Sequence, residues 1–338
     1  MKVSFEKKTF VFKTPSGTSR GILTEKHAWF IYAEEQEFTA VGECSIIPGL
    51  SPDFISFEAY ESKVKEVVDN FNYYVDHLEE LVAFPSILMG VEMVLLNLKC
   101  RRKHTYFPTP FAFSKEKIKI NGLIWMGEKA FMQKQISEKI NAGFDCIKMK
   151  IGAIDFDTEI ELISAIRREY PQNKIELRVD ANGAFTALEA EQKLSRLAAL
   201  DIHSIEQPIQ PGQFKEMAQL CKQSKLPIAL DEELIGVTTK KNKERLLKEI
   251  NPQYIILKPS LIGGFRGASE WIALAESLNI GWWITSALES NVGLSAIAQF
   301  VSQYKTNMYQ GLGTGALYTN NIESDLVVQK GFIFTKKV

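Results

Sequence analysis

Lys148-Met149-Lys150 closes a short apolar run, and after it single charged residues recur at Asp180, Glu206, Asp231 and Lys258. The interval is roughly 25 to 30 residues, about one strand-plus-helix unit of an α/β barrel. Each station follows an apolar run and sits just before a turn. A barrel arranges the ends of successive strands around one mouth, so residues far apart in sequence converge there. Read outward from this series, apolar strands end near Gly122, Lys150, Asp180, Glu206, Leu230, Lys258, Thr285 and Gly311. Amphipathic segments, such as 160–169 and 187–200, lie between them. Eight strand ends alternating with helices predict a modified (β/α) TIM-like barrel over residues 109–315. No Gly-rich phosphate fingerprint follows the first strand, which argues against a dinucleotide fold.

Residues 1–108 read as an α+β capping domain. Segments 3–12, 27–33 and 38–44 are β-rich, and the polar stretch 15–21 reads as a flexible connection between the first two. A helix is predicted over about 53–70, starting near Ser51 or Asp53, and another over 85–100. Pro108 and Pro110 mark the boundary. The tail, about 316–338, regains strand character at Gly331-Phe332-Ile333-Phe334 and is expected to fold back onto the cap.

Composition narrows the function. The chain has 338 residues, 45% of them hydrophobic, and a formal net charge of −1. A partner such as nucleic acid or an anionic membrane needs a concentrated basic face, which this dispersed charge does not offer. Met1-Lys2-Val3-Ser4-Phe5-Glu6 has no signal-peptide core, and the apolar runs are too short to span a bilayer, so a cytoplasmic protein is expected. Cys44, Cys100, Cys146 and Cys221 lack paired spacing, which argues for reduced thiols and against zinc.

In a strand, residues two apart share a face. Lys148 and Lys150 therefore aim together into the barrel, where each is expected to lower the other's pKa. One carboxylate after a strand is usually a helix cap. Three at successive strand ends make an oxygen cage suited to Mg²⁺, with Mn²⁺ as a substitute. Glu232 and Glu233 offer the same ligand chemistry as Asp231. Arg178 shares the Asp180 face and is expected to brace the carboxylates. A divalent ion on a substrate carboxylate stabilises the charge that appears when the adjacent C–H proton leaves, and a lysine takes that proton.

With the Lys-x-Lys element, the Asp, Glu, Asp series and Lys258-Pro259, the chain resembles the enolase superfamily, in the muconate-lactonizing-enzyme subgroup. Gly42-Glu43-Cys44-Ser45-Ile46-Ile47-Pro48-Gly49-Leu50-Ser51 and Ser286-Ala287-Leu288-Glu289-Ser290 make it most similar to the dehydratases of menaquinone biosynthesis. The resemblance implies that Asp180, Glu206 and Asp231 bind Mg²⁺. It implies that Lys150 is the base, that Lys148 tunes it and helps neutralise the enolate, and that Lys258 faces the intermediate from the other side. The implied reaction is a syn dehydration of a cyclohexadiene carboxylate to an aromatic product, a carbon–oxygen lyase activity on a small-molecule carboxylate. Arg20, in an element similar to the family's substrate-covering loop, is a candidate for binding substrate, as are Gly263, Gly264, Ser286 and Asn182. Gly311-Leu312-Gly313-Thr314-Gly315 lacks the Asp-x-Asp element of dipeptide epimerases, which counts against an amino-dipeptide substrate.

Two other classes use some of the same residues. N-Succinylamino-acid racemization would exchange protons between Lys150 and Lys258 on one carbon. A metal-free Schiff-base aldolase would use a lysine nucleophile, but the carboxylate series argues against it. A non-catalytic binding barrel would keep the fold without turnover.

Overall fold

The computed structural model describes residues 1–18 and 21–336, with the side chains of 16–18 left out. Arg20 lies outside the described residues.

The cap is built from β1 (Lys2–Thr18), β2 (Gly21–Glu35) and β3 (Phe38–Ser45), an antiparallel sheet, with α1 (Phe57–Asp69), α2 (Phe71–Asp76) and α3 (Pro85–Cys100). The polar stretch expected to be a loose connection is largely strand: Ser16 pairs with Leu23 and Thr18 with Gly21, after a register shift beyond Val11. Helix α1 starts at Ser56, whose hydroxyl accepts from the Ala59 N–H, and not at Ser51 or Asp53. Asp53 is instead buried and accepts from the Ser86 N–H (3.0 Å) and hydroxyl. Helix α3 is apolar on nearly every face because it lies between the cap sheet and the barrel. It crosses β3 with Gly90 against Gly42. A Cβ on Gly42 would stand 1.9 Å from the Gly90 carbonyl oxygen, so this crossing requires the glycine.

After β4 (Ile118–Lys119), the barrel begins with β5 (Gly122–Ile124), then α4 (Lys129–Asn141), β6 (Cys146–Lys150), α5 (Phe156–Glu169), β7 (Glu176–Asp180) and α6 (Ala187–Ala198). It continues with β8 (Ser204–Glu206), α7 (Phe214–Gln223), β9 (Ile228–Leu230), α8 (Lys240–Ile250), β10 (Tyr254–Leu257), α9 (Pro259–Ile262), α10 (Gly264–Ser277), β11 (Gly281–Ile284) and α11 (Asn291–Val301). Side-chain caps start several of these helices: Asp155 for α5, Thr186 for α6, Thr239 for α8 and Ser290 for α11.

Seven strands, β5 to β11, form one curled sheet in sequence order, and its parallel pairings match a βα repeat. The eighth stave is reduced. Gln310 and Gly311 make single parallel bridges to Ile120 and Thr285. The Gln310 side chain strengthens this closure: its Oε1 accepts from the Ile284 N–H at 2.8 Å, and its Nε2 donates to the Met308 carbonyl at 2.8 Å. The first barrel strand also runs past the expected end at Gly122 to Ile124, and the segment before it, β4, belongs to a different sheet.

The tail forms β12 (Leu326–Gln329) and β13 (Phe332–Thr335), and β13 pairs with β4. Before them, Tyr318 bridges to Phe12 and the Thr319 N–H donates to the Val11 carbonyl at 2.9 Å. The tail therefore touches the cap near 317–320 and the barrel entrance at 326–335. No helix among the described residues is long and apolar enough to cross a membrane.

Candidate active site

Strand register sets the charged cluster. Lys150 lies beside Asp180, and Asp180 beside Glu206, on three adjacent strands. Asp231 and Lys258 immediately follow β9 and β10. Lys148 Nζ is 3.0 Å from Asp180 and also pairs with Glu206. Lys150 Nζ is 3.1 Å from Asp180 Oδ2 and donates to Asn182 Oδ1. Lys258 pairs with Asp231. The three acids are almost wholly buried. Charges taken this far from water persist only when paired and hydrogen-bonded, and here three ammonium groups balance three carboxylates.

The balance decides how each group holds its proton. Burial disfavours the charged form of Asp180, but the Lys148, Lys150 and Lys258 ammoniums outweigh it and hold the carboxyl well below the usual range. Burial likewise works against Asp231, and Lys258 most of all reverses it, so that carboxyl is also held down. Glu206 goes the other way: burial, then the neighbouring Asp180 charge, push it well above the ordinary value. The expected mutual depression of the lysine pair does not govern Lys148. Burial lowers it, but Asp180, Glu206 and Asp231 more than compensate, and it stands above the ordinary lysine value.

The donor set fits a hard dication. It offers carboxylate oxygens from neighbouring strand ends, and Glu206 Oε1 is buried and accepts no hydrogen bond from the described residues. Among the described residues, no group of three or more His, Cys, Asp or Glu side chains is gathered as a cage. Instead the Lys148 ammonium spans Asp180 and Glu206, while Lys258 sits on Asp231. Asp180, Glu206 and Asp231 are carboxylates that could hold such an ion. Glu232 accepts from Asn182 Nδ2 at 3.0 Å, and Glu233 from Gln207 Nε2 at 3.0 Å and the Gly212 N–H at 2.7 Å. These bonds turn Glu233 away from the pocket, whereas Glu232 remains on the pocket wall beside Asn182.

The pocket above the cluster is lined by Lys148, Lys150, Asp180, Asn182, Glu232 and Lys258. The cap adds Leu23, Ile47, Pro48 and Leu50, and the barrel adds Ser286, Ala287, Leu288, Thr314 and Leu317. Ser286 is therefore in the pocket, where its hydroxyl is 2.6 Å from that of Thr314. Asn182 is there as well, but as the bridge between Lys150 and Glu232.

Three expectations are corrected. Gly263 and Gly264 do not line this pocket. Gly264, at φ +67°, packs under α3, where a Cβ would stand 2.3 Å from Glu92 Oε2. Gly263 borders a separate cavity with Lys243 and Glu270. The close approach that the glycine pair permits is that of a helix. Arg178 does not brace the carboxylates: it donates to Glu176 (2.7 Å) and to the Tyr309 carbonyl (3.0 Å), and its guanidinium lies 4.2 Å from the Trp283 ring centre. It is one step deeper in the barrel than Asp180.

Sequence reasoning missed Gln207. Wholly buried, at φ +38°, it accepts the N–H of Asp231 at 3.2 Å and of Glu233 at 3.3 Å, and donates to the Ile209 carbonyl at 3.0 Å. It fixes the backbone that carries Asp231. An amide between Glu206 and Pro208 was the available signal. The cap residues Leu23 and Leu50 carried none of their own.

Residues 132–337 match the family model described as Enolase C-terminal domain-like. An o-succinylbenzoate synthase of Desulfotalea psychrophila is 43% identical, over 98% of both chains. The crystal structure of MenC from Desulfotalea psychrophila superposes with a TM-score of 0.83 at 40% identity, covering 99% of each chain. The L-Ala-D/L-Glu epimerase of Bacillus subtilis has the same fold, with a TM-score of 0.83, 19% identity, and coverage of 99% of this chain and 97% of its own. With its curled parallel barrel, its antiparallel cap and its full-length similarity to such an enzyme, the chain belongs to the o-succinylbenzoate synthase family of the enolase superfamily.

Proposed function

We propose that this protein dehydrates 2-succinyl-6-hydroxy-2,4-cyclohexadiene-1-carboxylate to 2-succinylbenzoate in menaquinone biosynthesis, as a cytoplasmic enzyme whose cap (1–108) covers a catalytic barrel (109–315). One observation carries the reading: Lys148 and Lys150 from β6, and Lys258 from the far side of the ring, line one pocket, and between them they pair with the buried acids Asp180, Glu206 and Asp231.

Asp180, Glu206 and Asp231 would hold Mg²⁺, which when bound would supply positive charge to stabilise the anion formed on deprotonation, a pairing with a lysine base that is general to this superfamily. Lys150 removes the proton from the ring carbon bearing that carboxylate, and the C–H electrons move toward the carboxylate. Asn182 and Asp180 hold the Lys150 amine in place for this transfer. The C–O bond to the ring hydroxyl then breaks, Lys150 returns its proton to the departing oxygen, and water leaves an aromatic ring. Lys148 adds charge beside the carboxylate, and Lys258 sets a cation against the opposite ring face. Deprotonation is the hard step, since aromatisation drives the next one.

The test supplies the cyclohexadiene substrate with and without Mg²⁺ and follows conversion to 2-succinylbenzoate. Conversion that requires Mg²⁺ is expected, and no conversion with the ion present overturns the reading. β6 and β10 stand on opposite sides of the ring, which also favours racemization of N-succinyl amino acids on the same lysines. In D₂O, α-deuteration and racemization without dehydration of the diene would make that the primary activity.

A further inference from the structure

Two segments far apart in sequence, 42–51 and 286–290, meet across the boundary between cap and barrel. Glu43, on β3 and wholly buried, accepts from the Ser290 N–H at 2.8 Å, the Ser290 hydroxyl at 2.6 Å and the Gly293 N–H at 2.8 Å. A residue of the cap sheet thus helps cap α11, taking the N–H of its N-cap residue and of its third residue, while Asn291 and Val292 donate to Asn321 and to the Ser290 hydroxyl. Lys26, on β2 and also buried, donates to the Ala287 carbonyl.

The barrel and the tail grip two more residues of this wall. Ser260 donates to Glu289 Oε1 at 2.6 Å, and the Tyr318 hydroxyl donates to the Leu288 carbonyl at 2.6 Å. From Ala287 to Ser290, every residue is held by a side chain from a distant segment. Leu288 has φ +62°, a conformation L-residues rarely adopt and keep only where the surroundings over-determine it. Ala287 and Leu288 are also pocket wall, as is Leu23, three residues before Lys26.

Burying an ammonium group is costly, and burial pulls Lys26 down to about 8 against the opposing charges of Glu289 and Glu43. An apolar side chain would fill the space at lower cost, but it would leave the Ala287 carbonyl without this donor. The lysine is suited to fixing that carbonyl.

We propose that Lys26 and Glu43 form a latch from the cap that holds the 286–290 wall in the shape receiving the succinyl arm of the ligand. This rests on the dehydratase reading, which puts the ring carboxylate among the lysines and leaves the arm to the opposite wall. Lys26 and Glu43 are positioning residues: they act on the ligand through the backbone of 287–293.

The test compares wild type with Lys26→Met and Glu43→Gln, all with saturating Mg²⁺. Three quantities are read: affinity for 2-succinylbenzoate, affinity for benzoate, which lacks the arm, and KM against kcat for the diene. We expect the variants to bind 2-succinylbenzoate roughly tenfold more weakly, the scale of losing an orienting outer partner. KM should rise with kcat nearly kept, benzoate affinity should be unchanged, and amides of 286–293 should exchange with solvent faster. Unchanged 2-succinylbenzoate affinity, or equal losses for both ligands, overturns the latch. If Lys26→Met does not fold, Glu43→Gln decides by the same readings. A wild type that binds both ligands without converting the diene overturns the reaction reading and leaves the latch to the binding data.

Discussion

Asn182 joins Lys150 to Glu232: its carbonyl oxygen accepts from the lysine ammonium, and its amide nitrogen donates to Glu232 Oε1 at 3.0 Å. The amide can serve both partners only in this one orientation, because a carboxylate accepts and an ammonium donates. Asn182→Leu keeps the branched shape and removes both bonds. We expect kcat to fall by roughly 10- to 100-fold, the scale of losing a partner that orients a working side chain, with the Mg²⁺ titration close to that of wild type. Steady-state kinetics beside calorimetric metal titration checks this.

Lys150→Ala removes the proposed base. Turnover should drop at least about 10²- to 10⁴-fold, the usual contribution of a positioned general base. The circular dichroism spectrum and the metal titration should stay near those of wild type, since Lys148 still neutralises Asp180. Turnover near the wild-type level would assign the base elsewhere.

Asp231→Asn weakens the acid set while preserving its shape. Mg²⁺ should bind at least about tenfold more weakly, because a carboxylate gives a hard dication charge that a neutral amide does not. Lys258 also loses its charged partner. An unchanged binding isotherm would move the ligand role to Glu232.

Glu92 gives a dependence on pH away from the pocket. It sits on α3 and accepts the N–H groups of Phe265 (2.6 Å) and Arg266 (3.2 Å) at the start of α10. Burial pushes its carboxyl from 4.5 up to about 7, against the pull of those two bonds. Between these values the folded chain holds a proton that the unfolded chain has released. The contribution to stability is therefore full below about pH 4.5 and falls as pH rises to about 7, by no more than about 3 kcal/mol. Glu92→Gln should flatten this slope. Urea midpoints at pH 5 and pH 8 for both proteins measure it.

The arc of charged strand ends was legible because each βα unit contributes one residue at the same height, so sequence spacing maps onto ring position. The depth of Arg178 was not. The two-residue rule gave its face correctly, but two residues along a strand are a displacement of about 6.6 Å, enough to move it from the acids to Trp283. Gly263-Gly264 stood out as substrate-binding candidates, but the group that approaches Gly264 is α3. Leu23 and Leu50 were hidden for another reason. They reach the pocket by docking of the cap, a contact between segments that share no period with the barrel. The reduced eighth stave was equally invisible, because a short apolar run reads alike whether it pairs along its length or at one residue.

That reduced stave makes the ring unequal around its circumference. The acids and lysines all sit between β6 and β10, on the continuous arc, whereas the join at Gln310 and Gly311 relies on two single bridges and the side chains of Gln310 and Thr285. Partial opening begins where backbone pairing is sparse. On the sparsely paired side, the wall at 286–290 therefore depends for its shape on side chains that reach it from other segments rather than on strand neighbours.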